Sequence, residues 1–99
     1  MCEFKIIKKN DGSQIGEDII VLSYTNKHEL ILKDILGSGE KLDSALILDV
    51  NTLNQTAIVI EHPLIKDFLK IINKINNNTI SKSDVENLEI KLKDIKNSL

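Results

Sequence analysis

Apolar residues recur at two different periods along this chain. Over Glu3 to Lys8 they repeat at a spacing of two, with Phe4 and Ile6 separated by Lys5 and Ile7 breaking the alternation before Lys8; this predicts a strand. Asn10-Asp11-Gly12-Ser13 is a strong turn signal, because Asn, Asp and Gly tolerate the backbone angles a tight turn needs. A second strand is expected from about Asp18 to Thr25, and a third from about Glu29 to Ile35. The short polar break Asn26-Lys27 makes these two a hairpin. Gly37-Ser38-Gly39 ends it. Lys41-Leu42 reads as a brief strand, Ala45 to Val50 as a clearer one, and Thr56 to Ile60 as the last, after a turn at Asn51 to Gln55. Short strands at near-regular spacing suggest a small barrel or sandwich. Many carry apolar residues on both faces, so helices or a second copy of the chain must help to cover them.

After His62 the period becomes about 3.6. Pro63 suits the first helical position, where its missing N–H costs nothing. Ile65, Phe68, Ile72 and Ile75 follow at spacings of three, four and three. Asn76-Asn77-Asn78 breaks this helix. Ser83 with Glu86 reads as a capping box, and Val85, Leu88, Leu92, Ile95 and Leu99 form a second stripe. Two short helices with matching stripes predict a hairpin packed on itself or on the strands. An intermolecular coiled coil is the rival reading, disfavoured because two heptads are marginal alone. The expected fold class is therefore α+β: a barrel of five to six short strands over residues 1–62, then a helical hairpin over 63–99, sharing one core as a single domain.

Ninety-nine residues leave room for one core, and the apolar fraction of 41% is ordinary for a globular protein. No apolar run is long enough to span a bilayer, and no secretory signal is seen, so a cytoplasmic location is expected. A single cysteine makes no internal disulfide, in keeping with a reducing compartment. Net charge is -2, and every one of the 13 basic residues is lysine. Arginine supplies the bidentate contacts to phosphate and guanine that lysine cannot copy. The aromatics are Phe4, Tyr24 and Phe68 alone, with no stacking pair at strand spacing. Composition thus disfavours nucleic-acid binding.

Candidate chemistry is sparse. There is no Gly-x-Ser-x-Gly elbow, Walker loop, Gly-x-Gly-x-x-Gly or His-Glu-x-x-His, so no enzyme is expected. His28 in the hairpin turn and His62 at the strand-to-helix junction could serve as auxiliary ligands, yet their spacing matches no zinc pattern, and surface histidines account for both. Glu17-Asp18 and Lys8-Lys9 read as solvated strand ends, and Gly37-Ser38-Gly39 as a turn rather than a phosphate cradle. Cys2 stands apart. Removal of Met1 before a small residue would leave a thiolate and an α-amine on one residue, which chelate a metal in a five-membered ring. With Met1 retained, the thiolate and a deprotonated backbone nitrogen could do the same. Two such ends across a twofold axis would supply two nitrogens and two sulfurs, a set that suits square-planar Ni(II) or Cu(II). On position alone, an idle thiol is the more common state of a lone cysteine.

Met1-Cys2-Glu3-Phe4 resembles the opening of CooT-type proteins, the small nickel-binding accessory proteins of carbon monoxide dehydrogenase maturation. Leu32-Lys33-Asp34-Ile35-Leu36-Gly37 is similar to their Leu-Arg/Lys-Asp-Val/Ile-Leu-Gly segment. Glu17-Asp18-Ile19-Ile20, Ala45 to Val50 and Thr56 to Ile60 follow in the family's order, so the resemblance covers roughly residues 1–61. It implies a small SH3-like barrel, a homodimer, one Ni(II) held between subunits by Cys2, and nickel supply to a nickel enzyme or its maturation machinery. The same family is also labelled predicted RNA-binding. Short members stop near residue 62, so the helical hairpin is a departure, and it bears on whether the shared site can form. Three classes follow: a nickel-binding accessory protein, an RNA-binding SH3-like module with a lysine-rich face, and an adaptor exposing an apolar stripe along Val85, Leu88, Leu92 and Ile95.

Overall fold

The computed structural model describes residues 3–99. Contacts divide the chain into two compact units, Met1–Lys66 and Asp67–Leu99. The fold is α+β, with seven strands in two sheets and two helices among the described residues.

In the first unit, β1 (Phe4–Lys8) lies inside a four-stranded sheet of order β2-β1-β7-β6, with β2 spanning Gln14–Ile19, β6 Ala45–Asn51 and β7 Thr56–Glu61. β1 runs antiparallel to β2 and parallel to β7, with Ile6 beside Ala57 and Ile7 beside Ile58. Asn10 prolongs the parallel ladder. Its side-chain amide donates to the Glu61 carbonyl and accepts from the Glu61 N–H, both at 2.9 Å. The predicted turn at Asn10–Ser13 forms, with Gly12 at φ 75° and Asp11 Oδ1 accepting from the Ser13 hydroxyl and N–H at 2.6 and 3.0 Å. Those two donations hold the Asp11 carboxyl below its usual range.

The second sheet is an antiparallel meander of β3 (Val21–Tyr24), β4 (Leu30–Lys33) and β5 (Gly39–Leu42). Here the expected strand from Asp18 to Thr25 is corrected. It is two strands, β2 and β3, in different sheets. β2 is bulged at Asp18, whose φ is +56°, and the chain crosses to β3 at Ile20, whose N–H donates to the Lys33 carbonyl at 2.9 Å. The run Ile19-Ile20-Val21-Leu22 is apolar at every position, so no change of period announces this corner. The third strand is also shorter than expected, ending at Lys33, and the strand count is seven rather than five to six.

One core joins both sheets. Ile6, Ile19, Ala45, Ala57 and Val59 from the larger sheet meet Leu30 and Leu32 from the smaller, all at most 4% exposed. Apolar residues on the far side of the larger sheet (Ile7, Ile58, Ile60 and Leu46) explain why the strands read as apolar on both faces.

The two sheets do not close into one continuous ladder. Between β3 and β6 a side chain takes the place of the ladder. The Tyr24 hydroxyl donates to the Ala45 carbonyl at 2.8 Å and accepts from the Ile47 N–H at 3.3 Å. It so occupies the edge of β6, where unpaired backbone groups would otherwise face out. Burial raises the pKa of this phenol. Tyr24→Phe is expected to lower the stability of this unit by about 1–2 kcal/mol, since two partly buried backbone groups lose their partner. Urea unfolding followed by backbone amide NMR is the check, with the largest chemical-shift changes at Ala45–Ile47.

α1 (Pro63–Asn76) starts at Pro63 as its sequence predicts. Its first free N–H groups are all satisfied. His62 Nδ1 accepts from Leu64 at 3.1 Å, the His62 carbonyl from Ile65 at 3.1 Å, and Ser44 Oγ from Lys66 at 2.9 Å. α2 (Lys82–Asn97) is capped two residues earlier than its sequence suggests. The N-cap is Ser81 and its partner Asp84, in place of Ser83 and Glu86. Both pairs satisfy the three-residue spacing, and the Asp84 carboxylate, held by Lys74 at 3.0 Å, is the one placed to close the box.

Candidate functional site

Cys2, the metal ligand expected from the sequence, lies outside the described residues. The structure does describe where β1 begins, two residues further on. Phe4 pairs with Ile19 of β2, and Lys5 N–H donates to the Gln55 carbonyl at 2.9 Å. The start of β1 is therefore flanked by the β2–β3 corner and the β6–β7 turn. Both flanks carry a non-glycine residue at positive φ, Asp18 at +56° and Gln55 at +53°.

The other sequence candidates take structural places. His62 caps α1 through Nδ1, which makes that nitrogen an acceptor and puts the ring proton on Nε2. His28 sits in the β3–β4 turn at φ +62°, its N–H donating to the Thr25 carbonyl at 3.0 Å. Glu17 accepts from the Gln14 amide at 3.4 Å, and Asp18 lies in the bulge of β2 at positive φ. Among the described residues, no group of three or more His, Cys, Asp or Glu is placed to hold a metal ion.

The Leu32–Gly37 run spans the end of β4 and the turn into β5. Asp34 organises that turn. Its Oδ1 accepts from the Leu36 and Ser38 N–H groups at 2.9 and 3.0 Å, its N–H donates to the Ser38 carbonyl at 2.8 Å, and its carbonyl accepts from Gly37 at 3.0 Å. Gly37 stands at φ +82°, an angle other residues adopt at a cost. Asp34 and Gly37 are thus demanded by the turn itself. Ile35 and Leu36, expected in or beside the strand, sit at its tip, 61% and 86% exposed. Between β2 and the β4–β5 hairpin lies a shallow groove of about 340 Å³, floored by Ile15, Ile19 and Leu32 and rimmed by Glu17, Asp34 and Glu40.

In the second unit, two ion pairs join the helices: Lys91 to Asp67 at 2.8 Å and Lys74 to Asp84 at 3.0 Å. The second holds the Asp84 carboxyl down to about 2 from 3.8. Lys74 is the largest cause, and the Ser81 N–H and hydroxyl add to it. A carboxyl depressed on folding stabilises the folded state above its unfolded value and loses that contribution as the pH falls through its folded value. Helicity of this unit is accordingly expected to be constant above pH 4 and to decline from 3.8 towards 2. Circular dichroism at 222 nm against pH tests this, with Asp84→Asn flattening the decline. The apolar stripes lie beside these polar pairs. No residue of either helix is buried. Phe68, Ile72 and Ile75 on α1 and Val85, Leu92 and Ile95 on α2 are 41–53% exposed, while Leu88 is half-buried.

Sequence reasoning passed over Tyr24 and the Asp67–Lys91 and Lys74–Asp84 pairs. Only spatial proximity marks them, since each joins residues 10 or more positions apart. Compared with known families and curated proteins, the chain matches no family model and no curated protein. Among the described residues, no helix is long and apolar enough to cross a membrane.

Proposed function

We propose that this chain is a small cytoplasmic nickel-binding accessory protein of the CooT type, a binding protein and not an enzyme, which carries Ni(II) as cargo through Cys2. The carrying observation is the ordered set of short motifs headed by a cysteine at position two. Two small sheets around one core support a partly open SH3-like barrel. Since Asp34 and Gly37 are accounted for by the hairpin turn, the metal chemistry rests on Cys2 alone. The coordination set of this reading is the Cys2 thiolate and a nitrogen of the same chain end, doubled by a second copy. The recipient is a nickel enzyme or its maturation machinery. Binding needs deprotonated ligands, so affinity falls with pH.

Titration of Ni(II) into protein with its native N-terminus, followed by thiolate-to-metal charge-transfer absorption beside Cys2→Ala, is the test. Saturation at one nickel per two chains, lost in the variant, is expected. One nickel per chain overturns the shared site, and a signal indifferent to Cys2 overturns the reading.

A second reading, an adaptor that docks a protein through its C-terminal helices, is favoured by the exposed stripe along Val85, Leu92 and Ile95.

A further inference from the structure

The helical unit Asp67–Leu99 carries a surface that the nickel reading leaves unused. Its two helices meet through the Asp67–Lys91 and Lys74–Asp84 pairs, with half-buried Ile71 and Leu88 lining the cleft between them. Phe68, Ile72, Ile75, Val85, Leu92 and Ile95 stay open by 41–53%. A unit of this size without a buried residue falls below what a single core can stabilise, a deficit commonly met by oligomerisation. We propose that this face is a self-association surface, covered by the same face of a second copy with the two α2 helices antiparallel, as in a four-helix bundle.

Area supports a second copy. Half-exposed side chains of this size present roughly 60–100 Å² each, so six offer about 400–500 Å² of apolar surface per copy. Two copies with their polar margins reach the 1,200–2,000 Å² typical of specific interfaces, about 800 Å² a side. Charge supports it too and sets the direction. Glu89 and Lys96 border the stripe of α2 on one side, with Glu86 and Lys93 one step further out. Along this flank the acids stand in the first half of the helix and the lysines in the second, Lys82 excepted, and Asp94 lies round the helix from it. Asp84 and Lys91 are engaged with Lys74 and Asp67 of α1 and take no part in it. A parallel approach would set acid against acid. An antiparallel approach about a twofold axis sets Glu86 and Glu89 along Lys93 and Lys96 of the partner copy, and symmetry repeats the match.

Sedimentation velocity of the full chain with EDTA present, from low micromolar to submillimolar, tests this without reference to nickel. A reversible dimer is expected, unchanged by Cys2→Ala. The exposed double variants E86K/E89K and K93E/K96E should keep their circular dichroism. Each alone should weaken the dimer roughly tenfold or more, as several rim pairs turn repulsive together. Mixed in equal amounts, they should recover it as a heterodimer. A wild-type chain that stays monomeric, a dimer indifferent to both reversals, one that Cys2→Ala abolishes, or a mixture that fails to recover overturns the proposal. Nickel binding can fail or stand independently of these outcomes.

Discussion

Gly39→Ala is expected to cost about 3–5 kcal/mol, a large share of the stability of the β-unit, because typical domains hold only about 5–15 kcal/mol in total. Gly39 opens β5 opposite Lys33 of β4. A Cβ there would overlap the carbonyl oxygen of Leu32 and reach Lys33 Cα at 3.0 Å. Both obstacles are backbone, so no rotamer change relieves them. The strand that would have to move carries Leu30 and Leu32, at most 1% exposed, and displacing it opens the core. Tyr24, the only tyrosine of a chain without tryptophan, reports on this unit. Its fluorescence during urea unfolding should show the midpoint fall steeply, or no native baseline at all. A midpoint within experimental error of wild type would show that the two strands separate at little cost.

Ile6→Ala should cost 2–5 kcal/mol, the range for emptying a large aliphatic site in a packed core. Ile6 is fully buried on β1, between β2 and β7, so neighbours on both sides resist collapse into the space it leaves. Gly16 makes the prediction sharper. A Cβ at Gly16 would lie 3.2 Å from Ile19 Cγ1 and 3.3 Å from Ile6 Cγ1. In the wild type this is overpacking, and Gly16→Ala should cost about 1 kcal/mol. With Ile6 already shortened, the new methyl enters vacated space and should be neutral or stabilising. A double-mutant cycle by urea denaturation isolates this coupling, expected at about 1 kcal/mol or more. Strict additivity would mean the two residues do not share the space that the structure gives them.

Much of the fold could be read along the chain because it depends on local rules. Asn10–Ser13 made the turn its residues favour, and Pro63 opened α1. The strands over Ala45–Asn51 and Thr56–Glu61 followed from apolar runs between polar turns. Errors fell where two local solutions were equivalent. Ser81 with Asp84 and Ser83 with Glu86 have the same spacing, and the Lys74 ammonium distinguishes them from 10 residues away. The strand read on to Ile35 because that residue is apolar, whereas Asp34 folds its side chain over the following N–H groups and makes a turn.

The sequence by itself determined the α+β class, the change of period after His62, the two helical stripes, and the presence of a single cysteine. Tertiary structure alone decided the division of residues 14–24 between two sheets, the parallel contact of β1 with β7, the Tyr24 bridge, and the open state of the helical stripe. The reason is physical. Periodicity records which side of an element is apolar, because the twist of the backbone converts spacing into a face. It carries no record of what meets that face, which depends on the approach of groups far apart in the chain.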